Sequence, residues 1–551
     1  MGQNTRRLMC VAELSSSISI VYKRLERRVW PAPPPERIQT LEATVKSRDA
    51  YEWLAQHGKE TALFDSIRSL LVWDQRTVIP PKGHAHRAEQ SAALTRLIHS
   101  RRTDPRIGEK LALVEGSDLV SDPLSPEAVN VREWRRAYDK VVRIPERLAV
   151  QLARAASEGQ TCWERARPRS DWETFRPFLE RIVKLKREEA EHLGYIREPY
   201  DALLDRYEPG ETAEGLELLF LSLRGHLVEL LHRIMGSGRQ PDSRVLRSHF
   251  PVDRQEAFVR NVLGCIGYDF QGGRLDPTAH PFTVGIGPGD VRITARYSAS
   301  SFGQGFFGAI HEAGHALYDI GLPAGHWGTP MGESVSLGIH ESQSRLWENI
   351  VSRCPGFWEF FYPEVIRKFD SLVGVPLQEF QFAINEVRPT LIRTEADEVT
   401  YNLHVLLRFE IERDLMRGAV AVQDLPEVWN EGMRSILGLT PADHSSGVMQ
   451  DVHWSSGAIG YFPTYTLGNL YAAQFFRQAE AELGGLRECF RMGDFEPLLQ
   501  WLRRNIHSQG SRFHPRDLMR HVTGQDPDPQ HLLSYLEAKY AKLYDLAPQS
   551  Q

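Results

Sequence analysis

The sequence predicts a mainly α-helical protein with one small β-sheet or hairpin. Three observations carry that prediction. Apolar residues recur at helical spacing along most of the 551 residues, most cleanly at Leu216, Phe220, Leu223, Leu227, Leu230 and Ile234, where three- and four-residue steps put them on one helix face. Strand signals are confined to Gly267–Ser301, where Gly, Pro and β-branched residues accumulate, and so few strands cannot build a sandwich, barrel or doubly wound sheet. The third is the run His311-Glu312-Ala313-Gly314-His315, whose apolar flanks Phe306–Ile310 and Ala316–Tyr318 read as one helix carrying chemistry on one side.

Composition bounds the partners. The chain has 72 acidic and 66 basic side chains, a net charge of −6 spread along its length, and no basic patch to draw nucleic acid or a membrane surface. No apolar run approaches the roughly 18 residues of a membrane span. Cys10, Cys162, Cys265, Cys354 and Cys489 are scattered and odd in number, without a Cys-x-x-Cys pair, which points to buried thiols in a reducing compartment and hence a cytoplasmic location.

Taken in order, residues 1–45 are expected to be a poorly ordered extension. Their start is Arg- and Ser-containing, but Glu13 and a serine run interrupt the apolar core an export signal needs, and Arg6 does not fit N-myristoylation. Pro31–Pro35 (PAPPP) reads as an extended spacer. Residues 46–551 are expected to form a single helical catalytic unit. Its first helices run to about Val114 with a break at Pro80–Gly83, followed by helices at about 126–158, 172–193, 212–235 and 251–265. Phe282, Val284 and Ile286 alternate, Pro288-Gly289-Asp290 makes a turn, and Val291 and Ile293 alternate again, as in a hairpin. After the histidine-bearing helix and a Gly/Pro loop at 321–332, helices are expected at 333–351, 356–373, 376–389, 395–417, 426–437, 465–483, 494–507 and 529–545.

Residues four apart share a helix face, so the imidazoles of His311 and His315 are placed to grip one zinc ion, with Glu312 beside its open position. The third ligand should come from a separate stretch. Glu341, 26 residues after His315, is the leading candidate; Glu333 and His340 are its rivals, Glu333 being better placed for a helix's first turn and His340 for a supporting role behind the ligands. Cobalt would accept the same ligand set as zinc.

Five stretches in order then resemble the motifs of the carboxypeptidase Taq family of zinc metallocarboxypeptidases: Asp290–Thr294, His311–His315, His340–Gln343, Ile392–Asp397 and Gly447–Trp454. The resemblance extends from Tyr51 to Tyr544. It implies a mostly helical unit with a deep substrate groove, a divalent metal, a homodimer, and release of single C-terminal residues from peptides. Within it, Glu312 is the base and Arg393, a planar cation, would grip the substrate's free carboxylate. Asp290 and Arg292 would sit beside the groove or form a turn salt bridge, and Asp397 would accept a ligand histidine's free N–H. His453 and Tyr461 would hydrogen-bond the substrate or the developing oxyanion. Two competing expectations are a helical zinc oligopeptidase or dipeptidase, and a silent peptide-binding scaffold.

Overall fold

The computed structural model describes residues 35–547, with side chains from residue 44 onward. The expected extension therefore lies outside the described residues up to residue 34, but not beyond. Helix α1 runs Pro35–Thr77, opening on the last proline of the spacer, so residues 35–45 belong to the first helix rather than to a poorly ordered arm. At 43 residues it is about 65 Å long, from a rise of about 1.5 Å per residue.

α1 packs on α2 (His84–Arg102) and α3 (Pro105–Glu115), and α3 packs on α4 (Pro126–Arg143). These helices have a core of their own built from Ala50, Leu54, Ile107, Leu111, Val114 and Val131. The helix expected at 126–158 is two, because Pro145 cannot donate to the ladder: α4 ends at Arg143 and α5 runs Glu146–Ala166. α5 pairs with α6 (Trp172–Leu193). The main core then begins at α6 and runs to the C-terminal helix, including the stripe of α7 (Ala213–Gly236), whose start is capped by the Thr212 hydroxyl accepting from Gly215 N–H.

The sheet has three strands in the order β1-β3-β2. β2 (Thr283–Gly287) and β3 (Asp290–Ala295) form the expected antiparallel hairpin, turning at Gly289, whose φ of +79° suits a residue without a Cβ. β1 (Gly273–Pro277) pairs parallel to β3 and was not legible, since Pro277 and the charged Arg274 and Asp276 leave Leu275 as its one apolar side chain. β3 is central and buries Val291, Ile293 and Ala295 against α8 (Phe302–Gly321). β2 is left on an edge.

α8 carries the paired histidines. It buries Phe306, Phe307, Ala309, Ile310 and Ala313 and crosses α9 (Leu337–Arg345) at Gly314. A Cβ on Gly314 would lie 2.6 Å from Ser344 Cα, so only glycine allows the approach. α9 starts four residues later than expected, at the Ser336 hydroxyl that accepts from Ile339 N–H, and Glu333 accordingly lies before the helix rather than in its first turn. The helix widens into a π turn over Leu346–Val351. The helix expected from 395 begins at Thr400 as α10 (Thr400–Arg417). α11 (Pro463–Leu483) packs along α9, and α12 (Pro529–Tyr544) closes the body against α11 and α7.

Between the α1–α4 layer and the body lies a cleft of about 770 Å³. Its walls include Ala62 and Ser66 of α1, Ala137 of α4, Gly285 and Ile286 of the edge strand, Tyr207 and Val335.

Candidate metal centre

The i, i+4 spacing on α8 and the start of α9 at Leu337 bring three donors to one point. Nε2 of His311 lies 3.6 Å from Glu341 Oε2, and Nε2 of His315 lies 3.4 Å from the same oxygen. All three ligand atoms fall within 4.8 Å of one another. Donors around one tetrahedral zinc at about 2.0–2.1 Å are roughly 3.3 Å apart, so the spacing and the His₂Glu donor set fit a catalytic divalent metal with a position left open. Burial alone would raise the carboxyl of Glu341, but Arg345, His311 and His315 outweigh it and hold it well below the usual carboxylate range.

The set is braced from behind. Arg345 donates from Nε to Glu341 Oε1 at 2.7 Å and from Nη1 to Glu348 Oε2 at 3.1 Å. That Glu348 oxygen also takes His311 Nδ1 at 2.9 Å. Burial pushes the Glu348 carboxyl up, yet Arg345 and His311 bring it down to about 2. His315 Nδ1 turns instead to His340 Nδ1, 2.6 Å away.

Glu312 is buried beside the ligands, and the hydroxyl of Thr283 on β2 sits 2.7 Å from its Oε2 and 2.8 Å from its backbone oxygen. The edge strand thus fixes the carboxylate's orientation.

Arg393 is buried, at 4 % exposure, in a 3₁₀ turn before α10. Its Nε and Nη2 donate to Asp451 Oδ1 at 3.1 and 2.8 Å, and Nη1 donates to the Tyr401 hydroxyl at 2.9 Å. Arg408 holds the other Asp451 oxygen from Nε at 2.7 Å. Two guanidinium groups thus share one carboxylate in this corner. The corner is joined to the metal side by one intervening ring, since the Arg345 guanidinium lies 4.3 Å over the centre of the Tyr401 ring. Tyr465 and Phe462 wall Arg393 on other sides.

His453 and Tyr461 belong to the same aromatic group. His453 Nε2 lies 3.1 Å from the Tyr465 hydroxyl, its Nδ1 makes no hydrogen bond and stands 4.0 Å from Asp451 Oδ1, and burial pulls the ring's pKa down to about 4, so it is neutral near neutral pH. Tyr461 packs edge-on against Tyr207, which lines the cleft, and burial raises its hydroxyl to about 12.

Other expected residues are elsewhere. Asp397 does not back a ligand histidine: its carboxylate caps the start of α10, accepting from Val399 and Thr400 N–H, while Glu348 and His340 occupy the histidines' second nitrogens. Asp290 and Arg292 pair with each other at 2.7 and 2.8 Å, with Arg292 stacked 4.4 Å over Trp73 of α1. The pair joins the sheet to α1. Glu333 opens on the cleft, away from the ligands. Residues missed from sequence are Thr283, Arg345, Glu348 and Asp451. Arg345 and Glu348, four and seven residues after Glu341, were visible in principle as same-face neighbours.

Residues 53–540 match the family model of carboxypeptidase Taq (M32) metallopeptidases. The chain belongs to that family. Carboxypeptidase Taq relatives cover nearly the whole molecule: thermostable carboxypeptidase 1 of Thermus thermophilus is 57% identical over 504 residues, spanning 90% of this chain and 99% of that one. Carboxypeptidase 1 of Bacillus subtilis is 37% identical over 499 residues, 89% of this chain and 99% of its own. Among solved structures, an M32 carboxypeptidase from Deinococcus radiodurans superposes with a TM-score of 0.87 at 39% identity, covering 90% of this chain and 100% of that one. The protein is therefore a metallocarboxypeptidase, a hydrolase of peptide bonds, with the mainly helical fold its sequence predicts.

Proposed function

We propose that His311, His315 and Glu341 hold a zinc ion, that Glu312 moves the proton, and that Arg393 receives the free carboxylate of a peptide whose last residue is released. The observation that carries this reading is the convergence of the two imidazoles and Glu341 on one point, with Glu312 in the intervening turn. Zinc bound there supplies a Lewis acid for the scissile carbonyl and a water acidic enough to lose its proton near neutral pH. Oε2 of Glu312 is engaged by Thr283, so Oε1 is the atom that takes the water's proton and returns it to the leaving amine.

Arg393 keeps one N–H on each of Nη1 and Nη2 after its bonds to Tyr401 and Asp451. Those two N–H groups are the donors left to meet a substrate carboxylate. Tyr461, protonated and facing both Tyr207 and Tyr465, and neutral His453 line the approach from the cleft. Asp290 and Arg292 limit the groove where the sheet meets α1. The four described free cysteines, in no disulfide, suit a reducing, cytoplasmic setting, and the homodimer implied by the family motifs is open to light scattering.

The test pairs a blocked peptide with its C-terminally amidated twin. Rapid release of the last residue from the free acid and near-silence on the amide are expected, and equal rates would remove the carboxypeptidase role of Arg393. Glu312→Gln should retain stoichiometric zinc while kcat falls by about 10²–10⁴, the usual worth of a positioned base. Arg393→Ala should raise KM for the free acid.

A further inference from the structure

The second nitrogens of the two histidines are not held alike. His311 Nδ1 meets a carboxylate directly, at Glu348. His315 Nδ1 meets another imidazole, His340, 2.6 Å away, and the far nitrogen of that ring, Nε2, lies 2.9 Å from Asp319 Oδ1. Asp319 stands one turn after His315 on α8, and His340 precedes Glu341 on α9. A row of three side chains therefore runs from one helix to the other and back, ending at an atom that faces Glu341.

We propose that Asp319, acting through His340, is the positioning residue that makes His315 a metal ligand. The inference rests on the ligand role of His315 given above. An ionised carboxylate accepts and never donates, so the proton in the Asp319–His340 contact is on His340 Nε2. If His315 binds a cation through Nε2, its own proton is on Nδ1, and His340 Nδ1 must be the bare acceptor facing it. The contact between His340 Nδ1 and His315 Nδ1 needs one proton to be a hydrogen bond, and it must then come from His315. With its proton on Nδ1, His315 has its lone pair on Nε2, the atom 3.4 Å from Glu341 Oε2. The opposite proton order would put hydrogen on Nε2 and leave nothing there to bind a cation. Two rings thus take their tautomers from one carboxylate, and the same row fixes the plane of His315 against α9.

The experiment measures zinc affinity of the full chain by competition with a chromophoric chelator, after metal has been stripped and dialysed away. Asp319→Asn offers an amide N–H to His340 and so permits the wrong proton order. It should weaken zinc binding about 10–100-fold, the usual effect of losing such a partner. His340→Phe keeps the ring volume without the acceptor and should do the same, while Asp319→Glu should recover part of the loss. Melting of the metal-free variants separates this from unfolding, because the proposal requires affinity to fall while the metal-free transition stays in place. Native zinc affinity in both Asp319→Asn and His340→Phe would overturn it. Native affinity in His315→Ala would overturn the ligand assignment itself, a different failure recognisable by that variant alone.

Discussion

At the scale of single residues, the centre depends on atoms that are absent as much as on those present. A Cβ on Gly468 of α11 would lie 2.5 Å from Glu341 Cγ, so the proposed third ligand is packed against bare backbone. Gly468→Ala is expected to cost roughly 1–3 kcal/mol of stability, as overpacking does, and to weaken metal binding by pushing Glu341 aside. Thermal melts and the chelator competition together would check it; unchanged values in both would mean α11 yields freely. His311, Glu312 and His315 were legible because their relation is local, four residues on one face. Thr283 and Asp451 were not, because the contacts that matter cross 29 residues to Glu312 and 58 to Arg393. Asp397 misled for the converse reason: it lies in a family motif, yet its local backbone partners at the start of α10 claim it.

At the scale of elements, α9 is the piece that must not drift, and its first turn is tied to a buried acid. Glu208 is fully buried and accepts from Gly338 N–H at 3.0 Å and from the Tyr471 hydroxyl at 3.0 Å. Burial, then the neighbouring Glu211, pushes its carboxyl from 4.5 up to about 8. Between those two values the unfolded chain releases a proton that the folded protein keeps, so stability falls as pH rises through that window. Glu208→Gln carries no titrating group and should lose less stability than the native protein between pH 5 and pH 8 in parallel denaturant titrations. Equal losses would show that Glu208 is already ionised in the fold. The hairpin and most helices were readable from periodicity and turn residues. β1 was not, since its place is set by parallel pairing to β3 rather than by its own pattern.

For the molecule as a whole, the proposed ligands come from two helices that approach closely at Gly314. Binding a cation to the folded state alone adds stability by mass action, about 4 kcal/mol at a thousand times the dissociation constant. Removing the metal with a chelator should therefore abolish hydrolysis and lower the melting temperature, with both restored by zinc. A melting temperature indifferent to zinc would argue that the three donors bind none. The overall fold class was readable from the scarcity of strands. A groove was expected only through the family resemblance; the place of this cleft between α1–α4 and the body was not legible, because no single segment of sequence records a space between others.

The charges around the site, buried Glu341, Arg393 and Arg408 with the largely covered Arg345, Glu348 and Asp451, have a thermal consequence. Stripping water from ions carries a penalty that shrinks on heating, because the hydration of charged groups becomes less favourable as temperature rises. Apolar packing gains nothing comparable over the same range. The proposed metal centre is thus the part of this molecule whose cohesion declines least as it warms, so it should keep its shape at temperatures where the apolar helix contacts around it have begun to loosen.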